Sequence, residues 1–249
     1  MNPQPNCPVC GGPSQLLDVV DFNKSCEEQR GKYLPLSGRP IYYSICDACA
    51  FTFSPEFWSW TDDDFLRDVY NHEYVNIDPD YLEVRPKANA GALLTIFNNQ
   101  QAQINHLDYG GGNGKLSQEL VLNGWRSRSY DPFPSSDNGI ETLGKFNLIT
   151  AFEVFEHVPR PEHLMKNLVS LMDDSCLVLF TTLTSDNQIK KNQRLNWWYA
   201  SPRNGHISLY TKHSLSVLGQ KSGLGYGSFN EGFHFYVNKV PDWATHLVK

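Results

Sequence analysis

The strongest constraint on the fold of this chain is the stretch Leu107-Asp108-Tyr109-Gly110-Gly111-Gly112-Asn113-Gly114, which follows a short apolar run and opens a helical segment. A glycine-rich turn between a strand and a helix lets the backbone reverse sharply and approach a ligand with no Cβ in the way. From Ile104 onward, short apolar runs alternate with helix-period segments. The spacing predicts strands at 105–109, 126–130, 146–151 and 175–182, with helices near 114–123, 161–172 and 211–222. Two closing strands, at about 225–230 and 232–239, are joined by Glu231-Gly232 as a tight hairpin. Such alternation is the mark of an α/β fold with a largely parallel sheet and crossover helices.

The glycine spacing narrows the ligand. A dinucleotide fingerprint places its third glycine three positions after the second, where this chain has Lys115; its glycines instead alternate as Gly110, Gly112 and Gly114. Asp108, two residues before the first glycine, would repel a pyrophosphate in a confined site. It suits a cationic ligand. Asp131, at the end of the next expected strand, is placed to accept hydrogen bonds from ribose hydroxyls. A third segment, Phe146 to His157, ends at the same sheet edge and carries Phe152, Glu153, Glu156 and His157.

Together the Leu107–Gly114 block, Asp131 and the Glu153–His157 cluster resemble the class I S-adenosylmethionine-dependent methyltransferase superfamily over roughly residues 104–240. The resemblance implies a Rossmann-like seven-stranded sheet with a reversed final hairpin. It also implies S-adenosylmethionine held by Asp108, Tyr109, Gly110, Gly112, Gly114, Asp131, Phe152 and Glu153. The chain departs from the pattern in one place: only about 14 residues separate Asp131 from Phe146, so the usual third strand is short or missing. Asp137 is the candidate to replace the adenine-flanking acid of that strand.

The N-terminal part reads differently. Residues 1–60 are rich in Pro, Gly and Cys, and contain Cys7-Pro-Val-Cys10 and Cys46-Asp-Ala-Cys49. Two such pairs supply the four soft ligands of a tetrahedral Zn2+ site, each pair wrapping one edge in a turn. A closed site of four cysteines leaves no coordination position for chemistry, so the metal is expected to be structural. Residues 61–103 form a tyrosine-bearing helical connector with a helical run from Ala88 to Gln103, and 104–249 form the methyltransferase domain. The order of zinc module, connector and class I domain is similar to that of sugar C-methyltransferases, which supplies a candidate substrate class.

Acceptor-side residues must lie beyond the sheet edge. Glu156, His157 and His206 are the candidates for acceptor binding or base catalysis, each also open to a purely structural role as a helix-start or loop anchor. Trp197, Trp198 and Tyr199 serve equally as a plug over the core or as stacking partners of a substrate. Between Asp186 and Glu231 there is no acidic residue, while Lys190, Lys191, Arg194, Arg203, Lys212 and Lys221 are present. That asymmetry points to a small anionic acceptor such as a nucleotide-linked sugar.

The formal charge of -6 argues against broad coating of nucleic acid. An RNA methyltransferase gripping its substrate through the zinc module and the basic aromatic segment is nevertheless the competing reading. No run of about 18 apolar residues and no leader pattern occur, so a cytoplasmic protein without a membrane segment is expected. Nothing in the sequence defines an oligomeric state.

Overall fold

The computed structural model describes residues 5–133 and 139–248. Asp137 lies outside the described residues.

The chain begins with a small antiparallel sheet. Strands β1 (Ser14–Asp21), β2 (Pro40–Cys46) and β3 (Thr52–Phe53) pair in that order. Helix α1 (Asp62–Asp68) starts at a reciprocal cap, in which Thr61 and Asp64 each satisfy the other's backbone N–H. Helices α2 (Tyr74–Ile77) and α3 (Val84–Ile96) follow, in the segment expected to act as a connector. The helical run expected at 88–103 therefore starts earlier and ends earlier. Beyond Ile96 the backbone turns at Asn99, whose φ is +65°, and only a single 3₁₀ turn, Gln101–Gln103, follows.

The main sheet then forms from β4 (Asn105–Tyr109), helix α4 (Lys115–Leu122), β5 (Arg126–Tyr130), β6 (Phe146–Phe152), helix α5 (Pro161–Leu171) and β7 (Met172–Thr181). After β8 (Ser208–Leu209) and helix α6 (Lys212–Lys221), the chain closes with β9 (Gly225–Ser228) and β10 (Phe233–Val237). The strand order is β5-β4-β6-β7-β10-β9. Strands β5, β4, β6 and β7 are mutually parallel, and β10 runs antiparallel to both neighbours. Among the described residues the sheet has six strands rather than the seven of the resemblance. Between Asp131 and β6 the described chain forms only a 3₁₀ turn at Ile140–Thr142.

Burial follows position in the sheet. In β7 the run Cys176–Phe180 is buried at every residue, and Leu148–Ala151 of β6 likewise, because helices cover both faces of these central strands. Edge strand β5 is largely exposed or half-buried. Helix α5 starts with Pro161, whose missing N–H costs nothing in the first turn, and buries Leu164, Met165, Leu168 and Leu171 along one face.

The N-terminal region is joined to this core rather than tethered beside it. Strand β8 completes the small sheet by pairing with β3, Thr52 opposite Leu209. Cys7, Val9, Cys46, Cys49 and Phe51 lie in one continuous apolar cluster with Leu107, Phe155 and Tyr210. A second cluster packs Phe22, Ile41, Tyr43, Phe57 and Phe65 against Trp197, Tyr199 and Leu209. Residues near 195–210 are thus built into the N-terminal layer, although they follow the sheet-forming segments in sequence.

Candidate active site

The glycine turn sits at the carboxyl end of β4, where open parallel sheets bind ligands. Gly110, Gly112 and Gly114 have φ of +74°, +53° and +74°, the left-handed region that favours glycine. Close approach requires glycine at two positions. A Cβ on Gly110 would stand 2.5 Å from Val154 Cγ2, and one on Gly111 would stand 2.2 Å from Ser129 Oγ and 2.5 Å from Asp108 Oδ2. Gly111 was not singled out from the spacing, because its reason is tertiary: it lies between two strand ends.

Asp108 is buried at the head of this turn, and burial pushes its carboxyl up to about 7. Its stabilising partner is Thr150 Oγ1, which donates to Oδ1 at 2.9 Å. Behind Thr150 lies His106, buried and held neutral, with its pKa drawn down to about 3 by desolvation. With the threonine proton committed to Asp108, His106 Nε2–H donates to Thr150 Oγ1 at 3.0 Å and Nδ1 accepts from Ser127 Oγ at 2.7 Å. Ser117 and Ser127 extend the chain at 2.6 Å. The hydrogen bonds all run toward the carboxylate and stabilise its charged form.

Asp131 lies at the end of β5. Its Oδ2 accepts from Gly112 N at 2.7 Å and its Oδ1 from Phe133 N at 2.9 Å, which fixes the carboxylate over the turn. Burial raises its pKa, and these two amides act in the opposite sense. Tyr109 is placed differently: its ring is buried in the core and its hydroxyl accepts from Asn167 Nδ2 on α5 at 3.0 Å. Only its backbone lies at the strand end. Phe152 is half-buried and packs on Phe233.

Glu153 adopts φ +55°, a strained conformation for a residue with a side chain. It is pinned from both sides, since Glu153 N donates to Thr181 Oγ1 at 2.9 Å and Thr181 Oγ1 donates to Glu153 Oε1 at 3.0 Å. The turn that follows delivers Glu156 and His157.

Glu156, His157 and His206 come together, as one ligand-type atom from each lies within 4.8 Å of the other two. Tyr199 orients two of them. Its hydroxyl donates a short hydrogen bond to Glu156 Oε1, and its carbonyl accepts from His206 Nδ1 at 3.0 Å. A carbonyl only accepts, so Nδ1 carries the hydrogen and His206 Nε2 keeps its lone pair. Burial pushes Glu156 up to about 8, draws His157 down to about 4, and lowers His206 well below the usual histidine range. The role of Tyr199 was not legible in sequence, where it read as plug or stacking surface. The segment is held by the N-terminal layer: Tyr43 Oη donates to His206 O at 2.7 Å, Arg203 Nη1 to Val69 O at 2.8 Å and Cys26 N to Asn204 Oδ1 at 2.9 Å.

The four cysteines also converge. Their sulfurs lie within 4.8 Å of one another, with Cys7–Cys49 at 3.7 Å and Cys10–Cys46 at 3.3 Å. A tetrahedron with Zn–S bonds of about 2.3 Å has edges of about 3.8 Å, so the set fits zinc. Backbone N–H groups of Gly12 and Ala48 donate to Cys10 and Cys46 at 3.3 and 3.4 Å, as suits thiolates. These four residues can bind zinc.

The cations counted on as an anion-attracting face are largely engaged. Lys191 pairs with Asp47 at 2.7 Å and Arg194 with Asp18 at 2.9 Å. Lys221 Nζ donates to Val9 O at 2.8 Å, and Arg203 is buried.

A parallel sheet with an antiparallel final hairpin, carrying a glycine turn between two carboxylates, defines a Rossmann-like α/β methyltransferase. The chain belongs to the methyltransferase domain family, whose model matches residues 81–226, over half its length. Comparison with curated proteins finds no match. Among solved structures it is similar to the 1,6-didemethyltoxoflavin-N1-methyltransferase of Burkholderia thailandensis, in complex with 1,6-didemethyltoxoflavin and S-adenosylhomocysteine. That likeness has 13% identity over 84% of this chain and 99% of that one, with a TM-score of 0.51. Human N-acetylserotonin methyltransferase, in complex with SAM, is 13% identical over 75% of this chain and 62% of that one, with a TM-score of 0.49. At 13% identity the likeness to the Burkholderia enzyme speaks for the fold alone. Among the described residues, no helix is long and apolar enough to cross a membrane.

Proposed function

We propose that this methyltransferase takes its methyl group from S-adenosylmethionine and passes it to a small-molecule acceptor bearing a weakly acidic nucleophile. The observation that carries the reading is the convergence of Asp108, the three left-handed glycines and Asp131 at the carboxyl ends of β4 and β5. Bound there, S-adenosylmethionine supplies an electrophilic methyl group on a sulfonium. Asp108 attracts the cationic amino-acid portion, and Asp131, fixed by two backbone amides, accepts from the ribose hydroxyls. Phe152 and Glu153 stand at the carboxyl end of β6, the parallel neighbour of β4. The Burkholderia enzyme of like fold, bound to S-adenosylhomocysteine, supports this choice of donor.

In-line displacement asks the protein mainly to position the nucleophile and handle its proton. Glu156, His157 and His206 stand on the acceptor side and supply that function, with Tyr199 setting the orientation of Glu156 and His206. For an anionic acceptor such as a nucleotide-linked sugar the support is thinner, because Asp18 and Asp47 already hold two of the basic side chains. The acceptor class is therefore a small metabolite, with charge left out of its definition. The four-cysteine site closes the N-terminal layer that carries His206, and its zinc is structural.

The test is transfer of a labelled methyl group from S-adenosylmethionine into a panel of hydroxylated small metabolites, with RNA as a parallel substrate. Label in a small molecule together with S-adenosylhomocysteine release is the expected result. Label confined to RNA would overturn the acceptor class, and failure of S-adenosylmethionine to bind would overturn the reading altogether.

A further inference from the structure

The convergence of Glu156, His157 and His206 leaves unfinished chemistry. Glu156 is fully buried, and while Oε1 accepts from Tyr199, Oε2 has no hydrogen-bond partner. His157 Nδ1 is likewise buried and makes no well-formed hydrogen bond, the Gly205 backbone being its one polar neighbour among the described residues. His206 Nε2 presents a lone pair, because Nδ1 is committed to the Tyr199 carbonyl. Leaving one such group unsatisfied in the interior is costly, and leaving two beside each other needs a reason. The Gly205 backbone packs directly against this group, so that no side chain comes between it and His157. Gly205 has φ +83°, and a Cβ there would stand 3.0 Å from His157 Nδ1 and 3.1 Å from Tyr70 Oη.

From this we infer that Glu156, His157 and His206 form a second metal site, distinct from the four cysteines, for a redox-inert divalent cation of the zinc type. Two imidazoles and one carboxylate form a donor set that zinc uses when it keeps a coordination position open. The surrounding arrangement is the kind that tunes metal ligands. A single residue, Tyr199, fixes the carboxylate through its hydroxyl and the His206 tautomer through its carbonyl. Three protein ligands leave room for an acceptor oxygen, which the cation would polarise. The site thus specifies how the proposed acceptor side works, and in its role, though not in its binding of metal, it rests on that reading.

The experiment counts metal on the full chain. Purified protein is stripped, titrated with Co2+ and then with Zn2+, and analysed after dialysis. The wild type is expected to hold two equivalents, with Co2+ giving thiolate-to-metal charge transfer for one and only weak ligand-field bands for the other. Glu156→Gln, which keeps the carbonyl that accepts from Tyr199, and His157→Ala should each weaken the second equivalent at least tenfold. The thiolate band serves as the check that both variants remain folded. One equivalent in the wild type, with thiolate spectra alone, would overturn the site; in that case the nearby unpartnered Thr182 hydroxyl turns to Glu156. A second equivalent that survives both substitutions would also overturn it. Calorimetry with S-adenosylmethionine on the same samples separates the two proposals. Donor binding with one metal refutes only the metal site, whereas two metals without donor binding support the site and refute the methyl-transfer reading.

Discussion

Thr150 Oγ1 donates to Asp108 Oδ1 at 2.9 Å, the one side-chain hydrogen bond among the described residues to a carboxylate that burial pushes up to about 7. A carboxyl whose folded pKa lies above its unfolded value holds a proton in the native state after the unfolded chain has lost it. Stability therefore falls as pH rises from the ordinary carboxylate range to about 7, and is level beyond it. Asp108→Asn should remove that slope and raise stability at pH 8, on the order of a few kcal/mol. Affinity for the cationic donor should run the opposite way, tightening as pH rises through neutrality in the wild type and not in Asp108→Asn. Denaturant melts and calorimetry at pH 6 and 8 check both; parallel pH profiles for the two proteins would refute the assignment.

Two glycine substitutions should differ in sign. Gly111→Ala drives a Cβ toward Ser129 Oγ and the Asp108 carboxylate, and overpacking of this kind costs about 1–3 kcal/mol. It should also weaken donor binding, since Asp108 must move. Gly91, inside α3, has nothing within 4 Å of its ideal Cβ. Gly91→Ala should stabilise by about 0.5–1 kcal/mol through helix propensity alone. Thermal melts of the two variants are the check.

Zinc removal should lower the melting temperature of the whole chain in one transition. Thr211 Oγ1 donates to Cys49 O at 2.9 Å and Lys221 Nζ to Val9 O, so α6 is tied to both knuckles, and the cysteines share a core with β4. Structural zinc contributes folding free energy to whatever it closes. Donor affinity should be retained, because the glycine turn touches none of these residues. Calorimetric scans showing two separate transitions after chelation would contradict the coupling.

The main sheet was legible from the apolar run Cys176–Phe180 of its central strand β7 and from the regular alternation of strand-length and helix-length segments around it. Asn105–Tyr109 and Arg126–Tyr130 fall where the spacing placed them, and Pro161 marked the start of α5. What local pattern could not carry was contact across long separations. Strand β8 is two residues long, too short for a period, and exists because Thr52 and Phe53 pair with it. The grip of Tyr43 on the His206 carbonyl spans a separation of 163 residues. The basic run between Asp186 and Glu231 read as a substrate-facing patch, since its partners, Asp18 and Asp47, lie far off in sequence. The glycine turn itself was readable for the opposite reason: Asp108 and its glycines are local, and only Asp131 had to be brought to them.

Isothermal calorimetry of S-adenosylmethionine with the wild type and Asp131→Ala tests donor binding at the glycine turn directly. Asp131 is held over the glycine turn by Gly112 N at 2.7 Å, at a strand end rather than in the core, so its loss should spare the fold. Hydrogen bonds to a charged group are worth about 1.5–3 kcal/mol, so one donor per chain is expected in the wild type and an affinity at least about tenfold weaker in the variant. Absence of binding by the wild type, or equal affinity in Asp131→Ala, would contradict it.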